Sequence, residues 1–132
     1  MSWFVDASVV VAIVGQETGW ETQADRLDGD FPRYWSAVSR WESIAGLRKR
    51  ITSSADTARE MVDAFAAMNG FETVEIGLAE GALAFEAHRS FGKASGHPAQ
   101  LNMGDCFAYA CAKANGARLL YQGNDFVHTD LA

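Results

Sequence analysis

Short apolar runs alternate with longer stretches of helical periodicity along the whole chain, and this alternation restricts the fold more than any other feature. A strand that hands over to a helix and is followed by another strand returns parallel to the first, with the helix lying on one face of the sheet. The pattern predicts an α/β fold: a small central parallel sheet of four to five strands with helices on both faces.

Trp3-Phe4-Val5 reads as the first strand, halted at Asp6-Ala7-Ser8. Val9 to Val14 is a short buried helix behind Ser8 as its cap. Glu17 to Leu27 carries Trp20, Ala24 and Leu27 at helical spacing and is closed by Gly29 and Pro32. Tyr34 to Val38 is the second strand, and Ser39 opens a helix from Arg40 to about Lys49. Ser53 to Met68 places Ala58, Met61, Val62, Phe65 and Met68 on one stripe, ended by Asn69-Gly70. Phe71 to Ile76 is the third strand and Leu78 to Phe91 the next helix. A long loop, Gly92 to Leu101, leads to a helix capped by Asn102 and terminated by Asn115-Gly116. Arg118 to Tyr121 is the fourth strand, and a short fifth is expected near the C-terminus.

The 132 residues suit a single domain spanning 1–132. The longest apolar run, Val9 to Val14, is too short to cross a bilayer, so no membrane association is expected. The N-terminus lacks the basic region of a secretory signal. Cys106 and Cys111, the only cysteines, stand five apart in one helical pattern and cannot pair, which predicts buried thiols and a cytoplasmic location. With 17 acidic against 11 basic residues the net charge is −6, which argues against a generic nucleic-acid-coating protein but leaves room for acids that hold cations.

The informative acids are Asp6, Glu42, Asp105 and Asp125. Asp6 follows the first strand and Asp125 the fourth. Glu42 and Asp105 lie near the starts of helices. In open parallel sheets the ligand crevice forms at the carboxyl ends of the strands. Carboxylates gathered there cannot all stay ionised without a cation, and oxygen donors of this kind suit Mg²⁺ or Mn²⁺. Each also has a plainer reading. Ser39-Arg40-Trp41-Glu42 and Asn102-Met103-Gly104-Asp105 have capping-box spacing, and Asp6 and Asp125 fit turns.

At these same residues the sequence resembles the PIN domain, and within it the VapC toxins of bacterial toxin–antitoxin pairs. The resemblance is carried by FVDASVVVAI, RWESIAGL and HPAQLNMGDCFAYACAKANGARLLYQGNDFVHTDL, and it extends nearly end to end. It implies a Mg²⁺-dependent endoribonuclease, with Mn²⁺ as substitute, that hydrolyses RNA phosphodiesters to 5′-phosphate and 3′-hydroxyl ends. The implied catalytic and metal-holding acids are Asp6 and Asp105 directly, and Glu42 and Asp125 directly or through water. Ser8, Asn102 and Asp130 stand behind them. Gln122 departs from the basic residue frequent in relatives. The resemblance further implies a VapB-type antitoxin partner and a homodimer.

Arg40, Arg48, Lys49 and Lys93 are the candidate RNA contacts, with Trp41 and Tyr109 as candidate stacking residues. Trp20, Leu27 and the apolar side of Ser53 to Met68 are the candidate protein-docking surface. Two other classes remain open at this point. One is a catalytically silent PIN-fold scaffold that engages only its antitoxin. The other is a phospho-receiver-like module, which the single acid after the first strand and the missing late lysine disfavour.

Overall fold

A computed structural model describes residues 1–132. The strand β1 (Trp3–Val5) turns directly into α1 (Ala7–Val14) through Asp6. Asp6 has an extended backbone (φ −70°, ψ 151°), and its side chain accepts from the Ser8 N–H. The cap of α1 is therefore Asp6 and not Ser8: the acid sits one residue outside the helix, where its oxygen reaches an unpaired first-turn donor. Then come α2 (Trp20–Leu27), β2 (Arg33–Trp35), α3 (Ala37–Arg50), α4 (Ala55–Met68), β3 (Phe71–Thr73), α5 (Leu78–Phe91), α6 (Met103–Ala114) and β4 (Arg118–Leu120).

The sheet order is β3-β2-β1-β4, and every pairing is parallel. Trp3 lies opposite both Arg33 and Arg118, and Phe4 opposite Tyr34 and Leu119. Strand residues alternate between faces. Phe4 and Leu119 enter the core under α5 and α6, with Leu101 and Phe126. Val5, Trp35 and Leu120 enter the core under α1, α3 and α4, with Leu47 and Val62. The helices thus cover both faces, as the alternation of segments predicts.

Three boundaries differ from the sequence reading. β2 stops at Trp35 because Ser36 begins the helix: its extended backbone and its hydroxyl, accepting from the Ser39 N–H, make it the cap. β3 stops at Thr73, and Val74 and Ile76 pack on the α5–α6 core from irregular chain. No fifth strand forms. The segment after β4 is a series of turns pinned by buried Phe126 and Thr129, whose hydroxyl donates to the Phe126 carbonyl (2.8 Å). The long loop is closed at its base, where the Leu101 N–H donates to the Phe91 carbonyl (2.8 Å). That closure fixes where α6 starts.

Arg33, in the middle of the sheet, is 5% exposed. Its guanidinium donates to the carbonyls of Leu27 (2.6 Å), Asp30 (3.0 Å) and Asn69 (3.0 Å), the first and last at the C-terminal ends of α2 and α4. A cation there meets the negative ends of two helices. Arg33→Met should leave these carbonyls without partners and lower stability by about 3 kcal/mol, read as a shift in urea midpoint at constant slope. An unchanged midpoint would show that Arg33 carries no such burden.

Candidate active site

Because every strand runs the same way, the strand ends after β1, β2 and β4 share one edge of the sheet, and the helices that follow start there. Asp6 is 7% exposed. Its Oδ2 accepts from the Ser8 N–H (3.1 Å) and the Ser8 hydroxyl (2.5 Å). The same hydroxyl oxygen accepts from the Gln122 N–H (3.0 Å), so Ser8 fastens the acid after β1 to the loop after β4. Burial raises the Asp6 carboxyl above its ordinary value; the Ser8 bonds oppose this, and the Asp125 charge adds to it.

Asp105 forms the capping box that its spacing suggests. The Asn102 side chain accepts from the Asp105 N–H (2.9 Å), and Asp105 Oδ2 accepts from the Asn102 N–H (3.1 Å). This uses one carboxylate oxygen and leaves the other free. Burial pushes Asp105 up to about 6; the Asn102 bond opposes the rise, Asp125 and Asp6 add to it, and the Lys93 ammonium draws it back. Capping and site membership therefore coexist in one residue.

Glu42 is different. Since α3 begins at Ala37, Glu42 lies in the second turn and caps nothing. The Ser39 capping box read from the sequence does not form, because Ser39 is itself inside the helix. The Glu42 carboxyl lies against the Cα of Gly104, so a side chain at position 104 would collide with it. Burial pushes Glu42 up to about 7, and Asp6 and Asp105 add to the rise. Asp125 is exposed, anchored by the fully buried Phe126 beside it. The four acids thus act on one another electrostatically. As the side chains lie, no three acids, histidines or cysteines stand at the spacing of a finished metal-ligand set.

The other candidates divide. Lys93 and Asn102 border the acids. Asp130 does not: it accepts from the Tyr109 hydroxyl (2.6 Å) and pairs with Lys113, which also removes Tyr109 as a stacking residue. Arg40 is held by Asp63 through two bonds (2.8 and 2.9 Å) and is not free for phosphate. Arg48 and Lys49 lie nearly two turns beyond Glu42, Arg48 donating to the Ser53 carbonyl. Gln122 bridges Gln23 and the Thr18 carbonyl, a structural role. Gly104 escaped the sequence reading; its only signal is a glycine inside the first turn of an otherwise regular helix.

Comparison with known proteins follows the same residues. The PIN domain model matches residues 3–131. The chain belongs to the PIN-domain family. Among curated proteins, a VapC ribonuclease of Rhizobium meliloti is 45% identical over 97% of this chain and 98% of its own length. Ribonuclease VapC42 of Mycobacterium tuberculosis is 34% identical over 96% and 95%, and ribonuclease VapC30 of the same organism 33% over 97% and 95%. The fold matches the crystal structure of Mycobacterium tuberculosis VapC20, described as a sarcin–ricin loop cleaving toxin, with a TM-score of 0.70, 18% identity and 95% and 92% coverage. The resemblance read from the three motifs is thereby confirmed as membership of the PIN domain, with VapC proteins as relatives.

The raised carboxyls fix a sign. A folded-state acid that holds its proton more tightly than the unfolded chain adds stability at pH 4, and that contribution is lost as pH rises through its folded value near 6 to 7. Glu42→Gln should match the wild type at pH 4 without metal. By pH 8 it should be more stable by about 1–2 kcal/mol, a figure reduced for the partial exposure of the group. Denaturation in EDTA at the two pH values reads the difference, and a pH-independent gap would contradict the coupling.

Proposed function

We propose that this protein is a Mg²⁺-dependent endoribonuclease, the toxin of a VapBC-type pair, that hydrolyses RNA phosphodiester bonds. The observation that carries the reading is the convergence of Asp6, Glu42, Asp105 and Asp125 on one sheet edge, with burial and mutual repulsion raising the carboxyls of three of them. A set of hard oxygen donors that cannot all ionise alone fits a hard divalent cation.

Asp6 and Asp105 would hold the cation directly, and Glu42 and Asp125 directly or through water. When bound, it supplies the positive charge that lets the acids ionise together and offsets the charge gained by the scissile phosphate. The remaining work falls to the chain. Ser8 and Asn102 each engage one oxygen of Asp6 or Asp105 and so set the direction of the other. Gly104 admits the Glu42 carboxyl to the cluster. Lys93 offers a cation for an RNA phosphate beside it.

The VapC-named relatives support a VapB-type antitoxin as partner, and a homodimer is part of the same proposal. The docking surface differs from the one read in the sequence. Leu27, Ala58, Val62 and Ala66 are buried in the chain's own core, so the α2 and α4 stripes are mostly covered. The α3 face offers a groove of about 480 Å³, with exposed Trp41 and half-buried Ile44 beside Arg48 and Lys49. It supports docking of an antitoxin segment with apolar anchors.

Asp6→Asn and Asp105→Asn should each abolish RNA cleavage while leaving metal-free stability equal or higher, since one repelling charge is gone. EDTA should stop the wild type and Mn²⁺ restore it. Mg²⁺ at about a hundred times its dissociation constant should stabilise the wild type by about 2.7 kcal/mol, and Asp6→Asn far less. Full cleavage by either folded variant, or a wild-type melting temperature indifferent to Mg²⁺, would overturn the assignment. Light scattering tests the dimer, and co-expression with the neighbouring reading frame tests the antitoxin.

A further inference from the structure

Beside the acids lies a second cavity of about 540 Å³, between α5 and α6 and outside the carboxylate cluster. Its walls include Phe85, Phe107, Leu101 and Met103, and Phe85 and Met103 are 60% and 71% exposed. Its rim carries Lys93, Asn102 and His88. No ion pair engages Lys93. Asn102 spends its side-chain oxygen on the Asp105 N–H, which leaves its NH₂ free to donate. The cavity and the acids therefore share a wall: Asn102 lines one and exchanges two hydrogen bonds with Asp105 of the other. A cleft of about 650 Å³ beside β4 also contains none of the four acids and reaches them less directly, through the Gln122 N–H and the Ser8 hydroxyl that holds Asp6; no lysine lines it.

We infer that this α5–α6 cavity receives one unstacked nucleobase of the RNA strand, with Lys93 on the adjoining phosphate, and so positions the strand across the acids. The inference rests on the ribonuclease reading and adds a substrate subsite to it. An apolar recess with aromatic walls and a few polar rim groups is the chemistry that takes a splayed-out base of single-stranded RNA. A free cation between recess and acids is placed for the phosphate that joins that base to the scissile nucleotide. The strong negative charge of the acids makes such a foothold necessary, because phosphates are repelled there until a cation is bound.

Gly81 provides a clean test. It lines the cavity, and a Cβ built on it meets nothing within 4 Å. Gly81→Leu starts its side chain in open space, and in a helix it should leave the melting temperature unchanged or raised. Phe85→Ser removes an exposed wall. With a short single-stranded oligoribonucleotide in Mg²⁺, both variants should raise KM about tenfold with kcat nearly unchanged, as expected when binding common to ground and transition states is lost. Lys93→Gln should flatten the dependence of log affinity on log salt by about 0.7, measured by fluorescence anisotropy on the non-cleaving Asp6→Asn protein. Wild-type KM in Gly81→Leu would overturn the cavity while leaving the ribonuclease intact. A KM increase accompanied by a halved mass in light scattering would also overturn it, because the face then belongs to a second copy of the chain. Absence of cleavage by the wild type would remove both readings.

Discussion

The burial and crowding of carboxylates at one edge of a parallel sheet is the constraint around which this structure is arranged. Burial does most to push Glu42 up to about 7 and Asp105 to about 6, and the neighbouring acids add to the rise. Such an arrangement costs stability in the metal-free protein, and the fold holds it by means of fixed local bonds. Ser8 restrains Asp6, the capping box restrains Asp105, and the buried Phe126 places Asp125. Glu42 has no hydrogen-bonding anchor of this kind. Its position comes from the packing of α3 against α6 and from the missing side chain at Gly104.

The helix termini serve two purposes at once. Asp6 and Asp105 satisfy first-turn N–H groups, which need an acceptor in any protein. The same bonds orient the carboxylates toward the crevice and stabilise their charged forms. Capping and catalysis are commonly weighed as rival explanations of an acid near a helix start. Here the cap supplies the rigidity that a site of mutually repelling groups requires.

Much of this was legible in the chain. The alternation of segments gave the parallel sheet and the helices on both faces, and the three motifs led to the family. The sequence reading placed Glu42 three residues after a presumed cap at Ser39. The structure starts the helix at Ser36, whose extended backbone makes the better cap, and so removes the capping explanation for Glu42. Val74 and Ile76 had the alternation of a strand, but the ladder ends with the Val74 N–H donating to the Trp35 carbonyl (2.8 Å), and both side chains pack on the α5–α6 core beyond β3. Ion pairing between distant segments was not legible. Nothing local in the sequence says that Arg40 meets Asp63 or that Lys113 meets Asp130, because those partners come from separate helices or from the C-terminal turns.

The sequence by itself determined the fold class and the family, and it singled out the four acids as candidates, because periodicity and motif spacing are written in neighbouring residues. Tertiary structure alone decided which acids feel one another, which cations are already engaged, and that Gly104 admits Glu42. It also decided that the Leu27 and Val62 stripes are buried while Phe85 and Met103 face outward. These outcomes depend on how helices pack across the two faces of the sheet, and the energies of charge coupling and burial depend on distances between segments that the order of residues does not contain.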